Sequence, residues 1–316
     1  MEDESKGEAT LGRLRDAIRR LNPAVPQEAR EEALRKVLRV ATPSPTQTNR
    51  NFHALLRDGV PVEYKRPDAS IAGDHVRLVD FEDAKANDLL AVNQFMVIEG
   101  QHKRRPDIVI FFNGLLLAVI ELKNSADEDA TIWSAFNQLQ TYKQQIGSIF
   151  YYNEVLIVSD GSNARIGSLT ANQEWFKVWR TIDGEGDAPK TALELEVLVR
   201  GVFEPKRFLS LLEHFIVFEE DTDSDRLHKI IAGYHQFYAV NAAVEETVRA
   251  SGISPSSVDN NGVGASQPSR AHGGKPGDRR AGVVWLPRVR AKASPCSSTQ
   301  PASYGIRRCR TRRSLS

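Results

Sequence analysis

Cysteine is nearly missing from this chain. There are two, Cys296 and Cys309, both in the last stretch. The body up to Ala250 therefore has neither a disulfide framework nor thiolates for a zinc site. No apolar run approaches the roughly 18 residues that cross a bilayer, so no membrane partner is expected. Residues Met1 to Ala9 are acidic and polar, unlike a secretory signal, which points to a cytoplasmic protein. Acidic residues are missing too, but only locally: none lies between Arg279 and Ser316.

The net charge of +1 conceals that asymmetry. From Ser251 onward, 12 Lys and Arg face 2 Asp and Glu, which leaves 30 against 39 in the body. An acidic body argues against a stand-alone nucleic-acid binder, which usually carries a basic face. It leaves room for local basic groups, and Lys103, Arg104, Arg105 and Lys123 are candidates. The length of 316 residues allows two domains, and a hydrophobic content of 41% supports a sizeable core.

The most informative stretch runs from Arg105 to Tyr142. Ile108 to Phe112 and Leu115 to Ile120 are apolar runs on either side of Asn113-Gly114, a strong hairpin signal because both turn residues tolerate positive φ. Asp107 and Glu121 stand at the open end. Glu121 and Lys123 are two apart on a strand and share a face. Register decides whether Asp107 joins them. A regular two-residue turn pairs Asp107 with Ile120 and turns it away from Glu121; a three-residue loop or a bulge restores a shared face, and the odd loop is expected. Converging carboxylates beside an apolar sheet repel unless a divalent cation lies between them. Mg²⁺ takes oxygen ligands, polarises a phosphate oxygen and activates water. Lys123 would orient that water or offset phosphate charge. Solvated charges at a strand end are the plainer reading of Glu-x-Lys alone; its place after Pro106-Asp107 and an apolar hairpin favours chemistry.

Asp129 to Gly147 reads as a helix, with Ile132, Phe136, Leu139 and Ile146 as its apolar stripe and Asp127, Glu128 and Asp129 at its start. Gln138 and Tyr142 are one turn apart at the edge of that stripe, where they form either an amphipathic rim or a wall of the site.

Arg104-Arg105-Pro106-Asp107, Glu121-Leu122-Lys123-Asn124 and Gln138-Leu139-Gln140-Thr141-Tyr142 resemble the PD-(D/E)xK nuclease domain of the restriction (R, HsdR) subunit of type I restriction endonucleases. The likeness extends to Val92-Asn93-Gln94-Phe95, Thr131-Ile132-Trp133, Ser159-Asp160-Gly161 and Trp179-Arg180-Thr181-Ile182-Asp183-Gly184, covering about Leu11 to Trp285. It implies an α/β, restriction-endonuclease-like mixed sheet flanked by helices, followed by a helical segment and a disordered tail. It implies a type I site-specific deoxyribonuclease that cuts double-stranded DNA after ATP-driven translocation, with Mg²⁺ and ATP as cofactors and modification and specificity subunits as partners. Asp107 and Glu121 would bind the metal, Lys123 would serve the water, and Gln138 and Tyr142 would hold DNA or shape the pocket.

The rest of the chain reads more plainly. Gly7 to Arg20, Gln27 to Arg39 and Arg50 to Arg57 are expected helices, with Pro43 to Thr48 a loop. Glu28, Glu31 and Glu32 are candidate extra acids for the site, or simply solvated. Val60 to Tyr64, Val76 to Asp80, Leu89 to Ile98, Val155 to Val158 and Ala164 to Leu169 are expected strands. Asn93 and Gln94 either touch phosphates or are satisfied edge amides. Trp175, Phe176 and Trp179 either stack bases or form a lid. Helices are expected over Ala192 to Gly201 and Lys206 to Phe218, then an acidic hinge, then a long helix from Arg226 to Arg249 carrying His228 and His235 on one face. By the same resemblance, Gln236 is a candidate nucleotide contact.

The expected domains are 1–185, the nuclease; 186–250, a helical connector; 251–277, a Gly/Ser/Pro-rich linker; and 278–316, the start of a truncated motor. The family's phosphate-binding loop is missing where it is due, after Trp285. Codons for Pro287 to Cys296, regrouped by one base, can read Gln-Gly-Ser-Gly-Lys-Ser-Leu-Thr-Met, so the tail is read as frameshifted; a basic nucleic-acid-binding tail is the rival. A catalytically silent remnant and a non-catalytic partner-docking module are the alternatives to a nuclease.

Overall fold

A computed structural model describes residues 2–39, 42–124, 131–221 and 226–251. The expected linker and tail beyond residue 251 and the acids 127–129 lie outside them.

The centre is a five-stranded mixed sheet. Its strands are β3 (Leu89–Asn93), β6 (Ile108–Phe112), β7 (Leu115–Leu122), β8 (Val155–Ser159) and β9 (Ala164–Gly167), in that order across the sheet. Only the β7–β8 pair is parallel, joined by the crossover helix α4 (Ile132–Gln145). Strand β7 is central and its first seven residues are buried, as a strand covered on both faces must be. The expected fold class is therefore present.

Helices α1 (Glu2–Leu21), α2 (Gln27–Leu38) and α3 (Pro45–Asp58) precede the sheet. Helix α3 begins earlier than expected: the Ser44 hydroxyl accepts from Gln47 N at 3.3 Å and Pro45 takes the first turn, so residues 45–48 are helical. The hairpin β1 (Val60–Lys65) and β2 (Ile71–Val76) follows; β2 ends where the expected strand began.

The expected strand over 89–98 is broken. Gln94 has φ +51°, and the chain leaves β3 there to form a separate hairpin, β4 (Val97–Glu99) with β5 (His102–Arg104). Downstream, α5 (Glu194–Val202) and α6 (Pro205–His214) lead to a further correction. The end of the expected helix, the first residues of the expected hinge and the start of the next expected helix form the antiparallel hairpin β10 (Ile216–Glu220) and β11 (Leu227–Ile231), before α7 (Tyr234–Ala250). Residues 216–218 and 230–231 are β-branched or aromatic, and their spacing imitates a helical stripe. His228 and His235 consequently sit on different elements. The compact unit holding the sheet runs to Tyr238, and α7 from Ala239 onward belongs to a second unit.

Two apolar layers cover the sheet. Val109, Phe111, Leu116 and Val119 pack with Ile132, Phe136, Leu139 and Tyr142 of α4. Ile110, Phe112, Leu115, Leu117, Ala118 and Ile120 face the other layer, with residues of α1, α2, α3, α5 and α6. Each fully buried side chain of this size contributes on the order of 2 kcal/mol. Trp179 is 1% exposed and Phe176 4%, so both belong to the core rather than to a base-stacking surface; Trp175 is 57% exposed.

Candidate active site

The hairpin turn is not the expected odd loop but a two-residue one at Asn113-Gly114, with φ +51° and +82° and Phe112 opposite Leu115. Asn113 is fully buried and donates to Leu78 O and Asn87 Oδ1, each at 2.9 Å. Gly114 lies against α1, where a Cβ would stand 2.3 Å from Thr10 O.

The irregularity lies within the strand instead. Ile110 pairs with Ala118 but Phe111 pairs with Leu116, so Leu117 is an extra residue. Leu117 and Ala118 consequently enter the same apolar layer, which alternation forbids in a regular strand. Beyond the bulge, Ile108 opposes Ile120. Continuing that register places Asp107 opposite Glu121, both on the α4 side. The bulge is thus what brings the two carboxylates together.

Asp107 is held firmly. Its Oδ2 accepts from Leu122 N at 2.8 Å and its Oδ1 from Gln94 Nε2 at 2.7 Å. The Gln94 backbone N–H also donates to Asp107 O at 2.8 Å. Gln94 is a site residue whose role the sequence did not resolve. Its signal is conformational: positive φ at a non-glycine residue is uncommon and clusters at functional sites.

Glu121 is 3% exposed. Its Oε1 lies 3.6 Å from Lys123 Nζ and 3.4 Å from the Tyr142 hydroxyl, which is also 3.4 Å from Arg105 O. Its Oε2 is buried with no hydrogen-bond partner among the described residues. Burial, reinforced by Asp107, pushes the Glu121 carboxyl up to about 7; Lys123 pulls it down without offsetting this. Burial and then Glu121 raise the Tyr142 phenol. Gln138, one turn earlier on α4, acts on that phenol in the opposite direction and lowers it.

Asp107, Glu121, Lys123, Gln138 and Tyr142 therefore converge. Gln236 does not join them: its Oε1 accepts from Gly233 N at 2.9 Å, at the start of α7. Of the early-helix acids, Glu31 pairs with Arg15 and Glu32 with Lys36, and none contacts the carboxylate pair. No cluster of three or more metal-ligating side chains occurs among the described residues. An orphaned, buried carboxylate oxygen beside a second anchored carboxylate could nonetheless hold a hard cation that keeps several waters.

A basic hairpin flanks this site. Lys103 and Arg105 are exposed, and neither makes an ion pair among the described residues. The acid beside them, Glu99, is turned to Ser148, accepting from its N at 3.0 Å and its hydroxyl at 2.6 Å. Arg104 donates to Gln145 Oε1. No helix among the described residues is long and apolar enough to cross a membrane.

Comparison with known proteins agrees with this geometry. Residues 2–175 match the family described as type I restriction enzyme R protein N terminus. The HindI endonuclease subunit of a type I restriction enzyme from Haemophilus influenzae is 37% identical over 282 residues, which are 88% of this chain and 24% of that protein. A putative type I restriction enzyme endonuclease subunit, MjaIXP, from Methanocaldococcus jannaschii is 30% identical over 304 residues, 90% of this chain and 26% of that protein. The chain thus spans about a quarter of the length of these relatives. With more than half of its length matched and the carboxylate pair in register, the chain belongs to the type I restriction enzyme R protein N-terminal family.

Proposed function

We propose that this chain is the DNA-cleaving region of a type I restriction subunit. It hydrolyses phosphodiester bonds of double-stranded DNA with Mg²⁺, and in longer subunits this is coupled to ATP-driven translocation alongside modification and specificity subunits. The observation that carries the reading is the bulge-dependent pairing of Asp107 with Glu121, which leaves Glu121 Oε2 buried and unpartnered.

Asp107 and Glu121 would hold the metal. When bound, Mg²⁺ supplies Lewis acidity to the phosphate oxygen and lowers the pKa of a bound water. The chain's residues do the rest. Leu122 N and Gln94 Nε2 fix the Asp107 carboxylate, so it costs no reorganisation at the moment of reaction. Glu121, its carboxyl raised by burial, would give up its proton to hold the metal as a full anion. Lys123, 27% exposed in its side chain, reaches both that carboxylate and solvent, where it orients the attacking water or offsets phosphate charge. Tyr142 supports Glu121 Oε1. Lys103 and Arg105 offer contacts to the DNA backbone.

Nicking of supercoiled plasmid by the full chain with Mg²⁺, alone and with modification and specificity subunits, tests this. Glu121→Ala is expected to abolish nicking; cutting at the wild-type rate by that variant removes Glu121 from the mechanism.

A further inference from the structure

A second group of buried polar residues lies beneath the bulge. Lys229 on β11 and Glu154 just before β8 are both fully buried in their side chains and form an ion pair at 2.5 Å. Lys229 Nζ also donates to Asn49 Oδ1 at 2.8 Å and Asn153 O at 2.9 Å. His53 Nδ1 lies 3.1 Å from the same Glu154 oxygen. Asn49 Nδ2 donates to Phe150 O, Tyr151 O and Asn153 O at 3.1, 3.2 and 2.7 Å. One ammonium thus joins α3, the 150–154 turn and the β10–β11 hairpin. The backbone of Lys229 is tied as well, its N–H donating to Thr170 Oγ1 at 2.7 Å and its carbonyl accepting from the Ser168 hydroxyl.

Such a group is a poor way to stabilise a fold. A buried ion pair is commonly matched or exceeded by apolar residues of similar volume. This one also leaves Glu154 Oε1, His53 Nε2 and Asn153 Oδ1 buried without partners among the described residues, and a partly satisfied network is worse for stability than an apolar core. Its use is local. The same turn supplies the partners of the bulged residue: Glu154 N donates to Leu117 O at 2.7 Å, and Asn153 Nδ2 approaches that oxygen at 3.4 Å. A bulge leaves a carbonyl out of its ladder, and here the turn held by Lys229 satisfies it.

We propose that Lys229 and Glu154 are positioning residues for the Asp107–Glu121 site. They anchor the turn that captures Leu117 O, and so fix the bulge that sets the two carboxylates opposite each other. This rests on the nuclease reading of that site. Neither side chain touches the carboxylates; the effect passes through the 150–154 turn and strand β7.

The test compares the full chain with the Glu154→Leu/Lys229→Met double variant, which removes both charges at similar volume. Three readouts are taken: thermal midpoint, Mn²⁺ affinity by calorimetry, and hydrogen exchange at the Leu122 amide, which donates to Asp107. The midpoint is expected to move by only a few degrees. Mn²⁺ affinity falls at least about tenfold, the loss typical when support behind a metal ligand is removed, and Leu122 exchange accelerates. Wild-type affinity and exchange in the folded double variant overturn the proposal. Asn153→Ala, which keeps the ion pair and removes the amide from Leu117 O, is expected to act in the same direction, and it decides the question should the double variant fail to fold. If the wild type binds no Mn²⁺, the metal reading fails, and the exchange arm, which needs no metal, still decides this one.

Discussion

The elevated Glu121 carboxyl makes a quantitative prediction. Its ordinary pKa is 4.5 and in the fold it rises to about 7. The folded chain therefore binds more protons than the unfolded chain between those values, and stability falls as pH rises through that window. Linkage puts the destabilisation at about 1 kcal/mol at pH 5 and about 3 kcal/mol at pH 8, where it levels off. Because Glu121 is 3% exposed, solvent screening reduces this little. Glu121→Gln removes the titration. It also weakens the contact with the Tyr142 hydroxyl, at about 1 kcal/mol, which is independent of pH. The variant should match the wild type near pH 5 and exceed it by about 2 kcal/mol at pH 8. Denaturant unfolding of both proteins at the two pH values measures this, and the wild-type-minus-variant difference cancels the titrating groups that do not interact with Glu121. A difference that does not change with pH would refute the reasoning. So would a variant that loses stability at pH 8.

Other outcomes follow from particular contacts. Lys229→Met alone strands a buried Glu154 carboxylate and should cost about 3–5 kcal/mol, whereas the apolar double variant should recover most of it; chemical denaturation of the three proteins checks this. Gly114→Ala places a Cβ at φ +82° against the backbone of α1 and should lose more than about 1 kcal/mol by the same assay. In Ca²⁺, Lys103→Ala and Arg105→Ala should weaken duplex binding regardless of sequence, and each should reduce the logarithmic salt slope by about 0.9. Unchanged slopes would remove the β4–β5 hairpin from the DNA face.

The grouping of the candidate site residues was legible because their spacing is local: Glu121-x-Lys123 shares a face by strand period alone, and Gln138-x-x-x-Tyr142 by helical period. The pairing of Asp107 with Glu121 was legible only as a condition. Leu115 to Ile120 is apolar throughout, so side-chain pattern cannot report a bulge, and no glycine marks Leu117. What fixes it, the 153–154 turn meeting Leu117 O, is more than 30 residues away in sequence. Gln94 was ambiguous for a similar reason, since its role depends on a left-handed backbone at a non-glycine residue. The β10–β11 hairpin was misread because Ile230, Ile231 and Tyr234 fall at helical spacing across what is a strand end and a helix start. Gly233 was the overlooked punctuation.

The central claim is that Asp107 and Glu121 form one cation site. Calorimetric titration of Mg²⁺ or Mn²⁺ into the full chain at pH 7, repeated in buffers of different ionisation enthalpy and against Asp107→Ala, tests it most directly. The prediction is binding in the wild type with release of about half a proton per metal, because Glu121 is about half protonated there, and loss of that binding in Asp107→Ala. Equal binding by the two folded proteins, or none by the wild type even with duplex DNA present, would contradict it.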